Sequence, residues 1–231
     1  MVLVLVAYLL GSVPASYLAA KLFRGIDLRQ YGTGQVGPGN LWRTTSKLLA
    51  VPAALFDLSK GLVMVWIAQM VGLSIAQQLV VGLAAIIGHN WPVFLRFSGG
   101  RGVATTIGAI LILPLINESM TPWATITFLG VLVVGTVTLR SSVLPVLFSV
   151  AALPLASWLA QEPLLVTLGF LGVFLVLVLK RLTAPRLAEA STLSKRQLFF
   201  NRLFFDRDIR DRKVWMYGRL PADNNNAGKQ E

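Results

Sequence analysis

The sequence predicts an all-α fold: a polytopic membrane helix bundle of about seven transmembrane helices, N-terminus outside and C-terminus cytoplasmic. Three observations predict it. Hydrophobic residues fill 55% of the 231 positions against 13% charged, a balance too apolar for the surface of a soluble domain. Apolar runs near the ~20 residues needed to cross a bilayer recur along the chain, each ended by charges or Gly/Pro clusters. The basic residues gather in alternate loops, the pattern left by retention of Lys and Arg on the cytoplasmic side.

The first predicted span runs from Val2 to Phe23. It has no basic leading segment and no small-residue cleavage site, so it reads as a retained helix, not a removable signal peptide. The others run from Leu48 to Gly72, Ile75 to Leu95, Val103 to Ile116, Pro122 to Leu139, Val143 to Leu159 and Leu164 to Leu179. The fourth is short enough to be tilted or re-entrant, which leaves a five-span topology as the alternative. Loops after the odd-numbered spans carry Lys21, Arg24, Arg29, Arg43 and Lys47, then Arg96 and Arg101, then Arg140, then Lys180, Arg181 and the basic tail. Loops after the even-numbered spans carry only Glu118 and Glu162.

Residues 1–187 read as the membrane unit and 188–231 as a basic, aromatic tail. As a helix, the tail sets Phe199, Phe200, Leu203 and Phe204 on one stripe, suited to an anionic membrane surface. A partner-binding or disordered tail is the alternative, and Asp223 to Gly228 reads as disorder. The net charge of +11 is dispersed among loops, which favours membrane lipids and phosphate-bearing small molecules as partners and no nucleic acid. The absence of cysteine excludes thiolate catalysis. One histidine and scattered carboxylates make no metal cluster, and no cofactor is expected.

Two loops carry the chemistry. Between Asp27 and Arg43, Gly32, Gly34, Gly37 and Gly39 let backbone N–H groups converge on an anion, with the Thr33 hydroxyl and the Arg43 fork beside them. No lysine follows at nucleotide-binding spacing, and a flexible connector is the plain alternative. In the second loop, Gly99, Gly100 and Gly102 surround Arg101 just before a helix begins, so a phosphate there would meet a guanidinium and a helix N-terminus together. His89 is a candidate general base or a helix cap. Asp57 and Lys60, one turn apart in an apolar span, read first as a structural ion pair and second as site-lining groups.

In order and spacing these elements resemble the bacterial PlsY family, membrane acyltransferases that use acyl phosphate to acylate glycerol 3-phosphate. Gly11 to Tyr17 is similar to the family's G-S-x-P-x-x-Y, Gly32 to Arg43 to its G-S-G-N-x-G-A-T-N-x-x-R, and Asp57 to Gly61 to its D-x-x-K-G. Gly88 to Thr105 meets G-H-x-x-P-x-F-L-x-F-x-G-G-K-G-V-A-T at nearly every position, and the likeness runs to about Leu187. The motif lysine is here Arg101, the serine Thr33, the asparagine Gln35 and the Ala-Thr pair Pro38-Gly39. A histidine and an asparagine expected after the last span are absent, and that stretch offers Lys180 and Thr183.

The resemblance implies acyl transfer from acyl phosphate to the 1-hydroxyl of glycerol 3-phosphate, giving lysophosphatidic acid for phospholipid synthesis. It would take place at the cytoplasmic face of a bacterial inner membrane, and a monomer or weak oligomer is expected. Thr33, Arg43 and Arg101 are the expected catalytic residues. Gly32, Gly34, Gly37, Asn40, His89, Gly99, Gly100, Gly102, Thr105, Ser141, Ser142, Lys180 and Thr183 are the expected substrate-binding residues. Two other readings stay open: a relative that binds phospholipid or phosphorylated precursors without acyl transfer, and an organic-phosphate transporter. The second is disfavoured by charges gathered at one membrane face.

Overall fold

The computed structural model describes residues 1–184, 188–211 and 214–215. Its helices are α1 (Val2–Gly11), α2 (Ala15–Arg24), α3 (Pro38–Thr44), α4 (Lys47–Met70), α5 (Ile75–Asn90), α6 (Val103–Ile116), α7 (Trp123–Leu139), α8 (Val143–Leu159), α9 (Leu164–Leu182) and α10 (Lys195–Phe205). Short 3-10 turns lie at Leu28–Gln30, Val93–Leu95 and Ala188–Thr192, and the described residues contain no strand. The all-α expectation holds. The tail boundary at residue 187 and the stretch from Asp223 to Gly228 lie outside the described residues.

Two expectations are corrected. The first span is not one helix: Pro14 has no N–H to return to the preceding turn and disfavours helical backbone at Val13, so α1 stops and α2 begins anew. The freed carbonyls of Gly11 and Val13 accept from Lys60 Nζ at 3.2 and 2.5 Å. At the other end, α9 continues through Leu182, so Lys180 and Arg181 form its last turn instead of a loop, and both are buried. Cations suit the carbonyl end of a helix, and each of these two also finds a carbonyl on a neighbouring helix, Lys180 on Asn90 of α5 and Arg181 on Val143 of α8.

By length and composition, Val2–Arg24, Lys47–Met70, Ile75–Leu95 and Leu164–Leu182 are long and apolar enough to cross a membrane, while α6, α7 and α8 are shorter apolar helices. Leu5, Leu22, Leu55, Val133, Leu155 and Leu175 stand exposed on the exterior, where a water-soluble protein would place polar groups. Ile110, Leu113, Phe128, Leu153 and Phe170 form the buried centre.

Two tight crossings position the site. A β-carbon on Gly11 would strike the Ala85 carbonyl, and one on Gly88 the Tyr8 carbonyl, so α1 and α5 touch backbone to backbone. Gly61 faces the Thr105 carbonyl and Gly108 the Leu58 carbonyl in the same way, joining α4 to α6. Small residues permit this approach where lipid removes any hydrophobic drive between helices. The crossings bring together the α1/α2 break, Asp57, His89 and the start of α6.

Candidate active site

The first glycine-rich loop is organised from within. Asp27 accepts Arg29 N at 3.0 Å and grips the guanidinium, Nε at 2.9 and Nη2 at 2.6 Å. That hydrogen bond holds the Asp27 carboxyl below its ordinary range, and Asp27 in turn raises Arg29. Asn40 Oδ1 accepts Thr33 N at 2.9 Å, while Nδ2 donates to the carbonyls of Leu28, Tyr31 and Gln35 at 3.1, 2.9 and 3.1 Å. Asn40 is 2% exposed. It is therefore the loop's organiser, with one lone pair of Oδ1 left beside these four bonds. Gly32 takes a left-handed turn (φ 58) against this side chain. Thr33 is buried, and its hydroxyl accepts Gln35 N at 3.4 Å. Arg43, exposed on α3, donates to Gly39 O at 3.0 Å and lines an open groove of about 380 Å³ with Pro38, Trp42, Ala50, Val51 and Ala54.

The second loop meets the first at Gly100. A β-carbon there would run into His89 Nε2 on one side and the Val36 carbonyl on the other. Gly100 N donates to His89 O at 3.1 Å. His89 Nδ1 lies 3.4 Å from Asp57 Oδ1, which also holds Lys60 Nζ at 2.7 Å. Gly102, the N-cap of α6 with φ 70, presses on the side chain of Asn90. Asn90 is fully buried with neither amide atom hydrogen bonded. Lys180 Nζ donates to Asn90 O and sits 5.1 Å over the Trp91 ring.

Arg101 is the junction. Nη1 donates to Lys180 O at 2.9 Å, and Nη2 lies 3.0 Å from Asp206 Oδ1 and donates to Asp206 O at 3.4 Å. With its amide oxygen toward the guanidinium, Gln35 accepts Arg101 Nε at 3.0 and Nη2 at 3.1 Å. The opposite orientation gives one 3.4 Å bond to Asp206 Oδ2, and the shorter contacts to a charged donor decide for the first.

Three other expected ligands make hydrogen bonds within the protein, and Ser142 stands exposed. Thr105, fully buried, donates to Asp57 O at 2.9 Å and so ties α6 to α4. Ser141 and Ser142 are exposed on the α7–α8 turn, where Ser141 Oγ accepts Val143 N at 3.5 Å. The Thr183 hydroxyl donates to Leu179 O at 2.8 Å within its own helix. Conversely, the sequence reading misses Asn90, a variable position inside a quoted motif, and Asp206, which lies in the tail beyond every motif. Burial without a partner is the signal for Asn90, and only tertiary docking reveals Asp206.

An apolar exterior and glycine-mediated helix crossings define an integral-membrane protein, and its two basic glycine-lined turns meet at one place. The family model for glycerol-3-phosphate acyltransferase matches residues 1–190, and the chain belongs to that family. Glycerol-3-phosphate acyltransferase 4 of Dehalococcoides mccartyi (strain CBDB1) is 40% identical over 234 residues, covering 99% of this chain and 97% of the relative. The glycerol-3-phosphate acyltransferase of Azotobacter vinelandii is 39% identical, covering 74% of this chain and 87% of its own length. The crystal structure of PlsY, an integral membrane glycerol 3-phosphate acyltransferase, in its glycerol 3-phosphate form superposes with a TM-score of 0.66 at 30% identity. It covers 78% of this chain and 86% of that one. Its lysophosphatidic acid form gives 0.62 at 28% identity, with the same coverage. The resemblance read from the motifs is borne out.

Proposed function

We propose that this chain transfers the acyl group of an acyl phosphate to the 1-hydroxyl of glycerol 3-phosphate, forming lysophosphatidic acid and releasing inorganic phosphate. The observation that carries this reading is the contact of the two glycine-rich loops at Gly100, which sets two basic, glycine-rich turns side by side. Arg101, Lys180 and the N–H groups of Gly99, Arg101 and Gly102 hold the acyl phosphate, Gly100 N–H being bonded to the His89 carbonyl. The Thr33 hydroxyl and Arg43, with the N–H groups of Gly32 and Gly37, hold glycerol 3-phosphate.

An acyl phosphate is already activated, so the protein needs no covalent nucleophile, and orientation with electrostatic stabilisation supplies the rate. The substrate hydroxyl attacks the acyl carbon, the C–O bond to phosphate breaks, and the departing phosphate accepts the proton. An Nδ1–H directed at Asp57 leaves His89 Nε2 as an acceptor facing Gly100, placed to orient the hydroxyl. The groove beside Arg43 has the size and apolar lining for an acyl chain. The four long segments and three shorter apolar helices all cross the bacterial inner membrane, with the linked basic loops cytoplasmic and the chain a monomer or weak oligomer.

The test is an assay of the purified chain with acyl phosphate and glycerol 3-phosphate, with acyl-CoA and acyl carrier protein donors as controls. Mass spectrometry is expected to find lysophosphatidic acid only with acyl phosphate. Its absence under every donor overturns the activity, and its formation from a thioester overturns the donor. The chain lacks cysteine, so single cysteines at Glu118 and Arg140 with an impermeant label report topology directly.

A further inference from the structure

The guanidinium assigned to phosphate already holds a carboxylate of the chain itself. Asp206 caps α10 in a left-handed conformation (φ 54), and that turn aims its side chain at Arg101. The two side chains lie 3.0 Å apart, each 15% exposed. The turn is firmly moored. Arg202 Nε grips Asp208 Oδ1 at 2.7 Å and Nη1 donates to Leu182 O at 2.6 Å, while Arg181 Nη1 donates to Leu203 O at 3.0 Å. With Gln35 and Lys180 O on its other N–H groups, the Arg101 fork has no pair of donors left for an incoming phosphoryl group.

We propose that Asp206 is a built-in competitor for the phosphoryl group at Arg101 and so sets the substrate affinity of this chain. This rests on the reading of Arg101 as a phosphoryl ligand. Here the carboxylate makes a single ionic contact, Oδ1 to Nη2, without a hydrogen bond, whereas two phosphoryl oxygens can fill the guanidinium fork in a bidentate way. A phosphoryl dianion brings more charge to the cluster of Arg101, Lys180 and the α6 N-terminus, so it displaces the carboxylate in spite of the tether. The family model ends at residue 190, so Asp206 lies beyond it, in a tail over which the Dehalococcoides mccartyi relative still aligns. In this arrangement the carboxylate lies against the guanidinium and compensates its charge.

The experiment compares the full-length wild-type chain with Asp206→Asn, Asp206→Ala and Arg101→Ala in detergent. Inorganic phosphate is titrated by calorimetry, and KM and kcat are measured in the acyl-phosphate assay. Both Asp206 variants are expected to bind phosphate about fivefold more tightly, the factor that a partly exposed ion pair represents, and to lower KM by a similar factor with kcat retained. Unchanged or weaker phosphate binding in both variants, at wild-type melting temperature, overturns the proposal. So does a fall in kcat at constant KM, which would make Asp206 a positioning residue for Arg101. If Arg101→Ala keeps wild-type phosphate affinity, the underlying site reading fails and takes the proposal with it. If Arg101→Ala loses that affinity and the Asp206 variants do not gain it, only the proposal fails.

Discussion

Lys60 Nζ stands 2.5 Å from the Val13 carbonyl oxygen while holding Asp57 at 2.7 Å. One buried cation thus closes the break between α1 and α2 and anchors the carboxylate beside His89. Replacing it by Lys60→Met leaves a buried carboxylate and two carbonyls without their donor. The expected loss is roughly 3–5 kcal/mol, read as a large fall in melting temperature in detergent. A variant melting like wild type would show that the pair contributes little to the fold.

Arg43→Ala and Arg101→Ala are each expected to lower kcat/KM by roughly 100- to 1000-fold, the scale seen when one preorganised electrostatic group is removed. Arg101→Lys keeps the charge but loses the fork that engages Gln35, Lys180 O and Asp206 together, and so falls between wild type and the alanine variant. Full activity in both alanine variants would sink the assignment of the two anion turns.

Asn40 serves four backbone groups of the first loop. Asn40→Ala removes all of these bonds, and Asn40→Asp keeps only the acceptor for Thr33 N. Both are expected to destabilise the chain by roughly 2–4 kcal/mol and to depress activity, with aspartate giving no rescue. Rescue by aspartate would mean that the three donated bonds are dispensable.

Asp27 gives a pH signature. Its folded pKa lies below the ordinary 3.8, so its contribution is fully present above that value and drains away as pH falls through the lower folded value. The melting-temperature gap between wild type and Asp27→Asn should stay constant from neutral pH to about pH 4, then close on further acidification. A gap that closes between pH 7 and pH 5 instead would assign the effect to another group.

Most helix ends are legible because proline, glycine or charge punctuates the hydropathy. The α1/α2 break is not, because Pro14 sits in an apolar run and the donor that makes the break tolerable, Lys60, arrives from another helix. Glycine density and adjacent cations mark both turns of the site, yet an asparagine or a threonine reads alike whether it faces a ligand or the backbone, and only the fold shows Asn40 and Thr105 bonded to backbone. Lys180 and Arg181 look like loop residues by charge alone. They stay helical and buried because carbonyls of Asn90, Val143 and Leu203 receive them.

Arg181 donates one arm to the Val143 carbonyl and the other to the Leu203 carbonyl. A protein trimmed back to its family core would keep this cation at the rim of the bundle after discarding half of what neutralises its appetite for acceptors. Anyone miniaturising the enzyme should delete the cation along with the tail, or leave both in place.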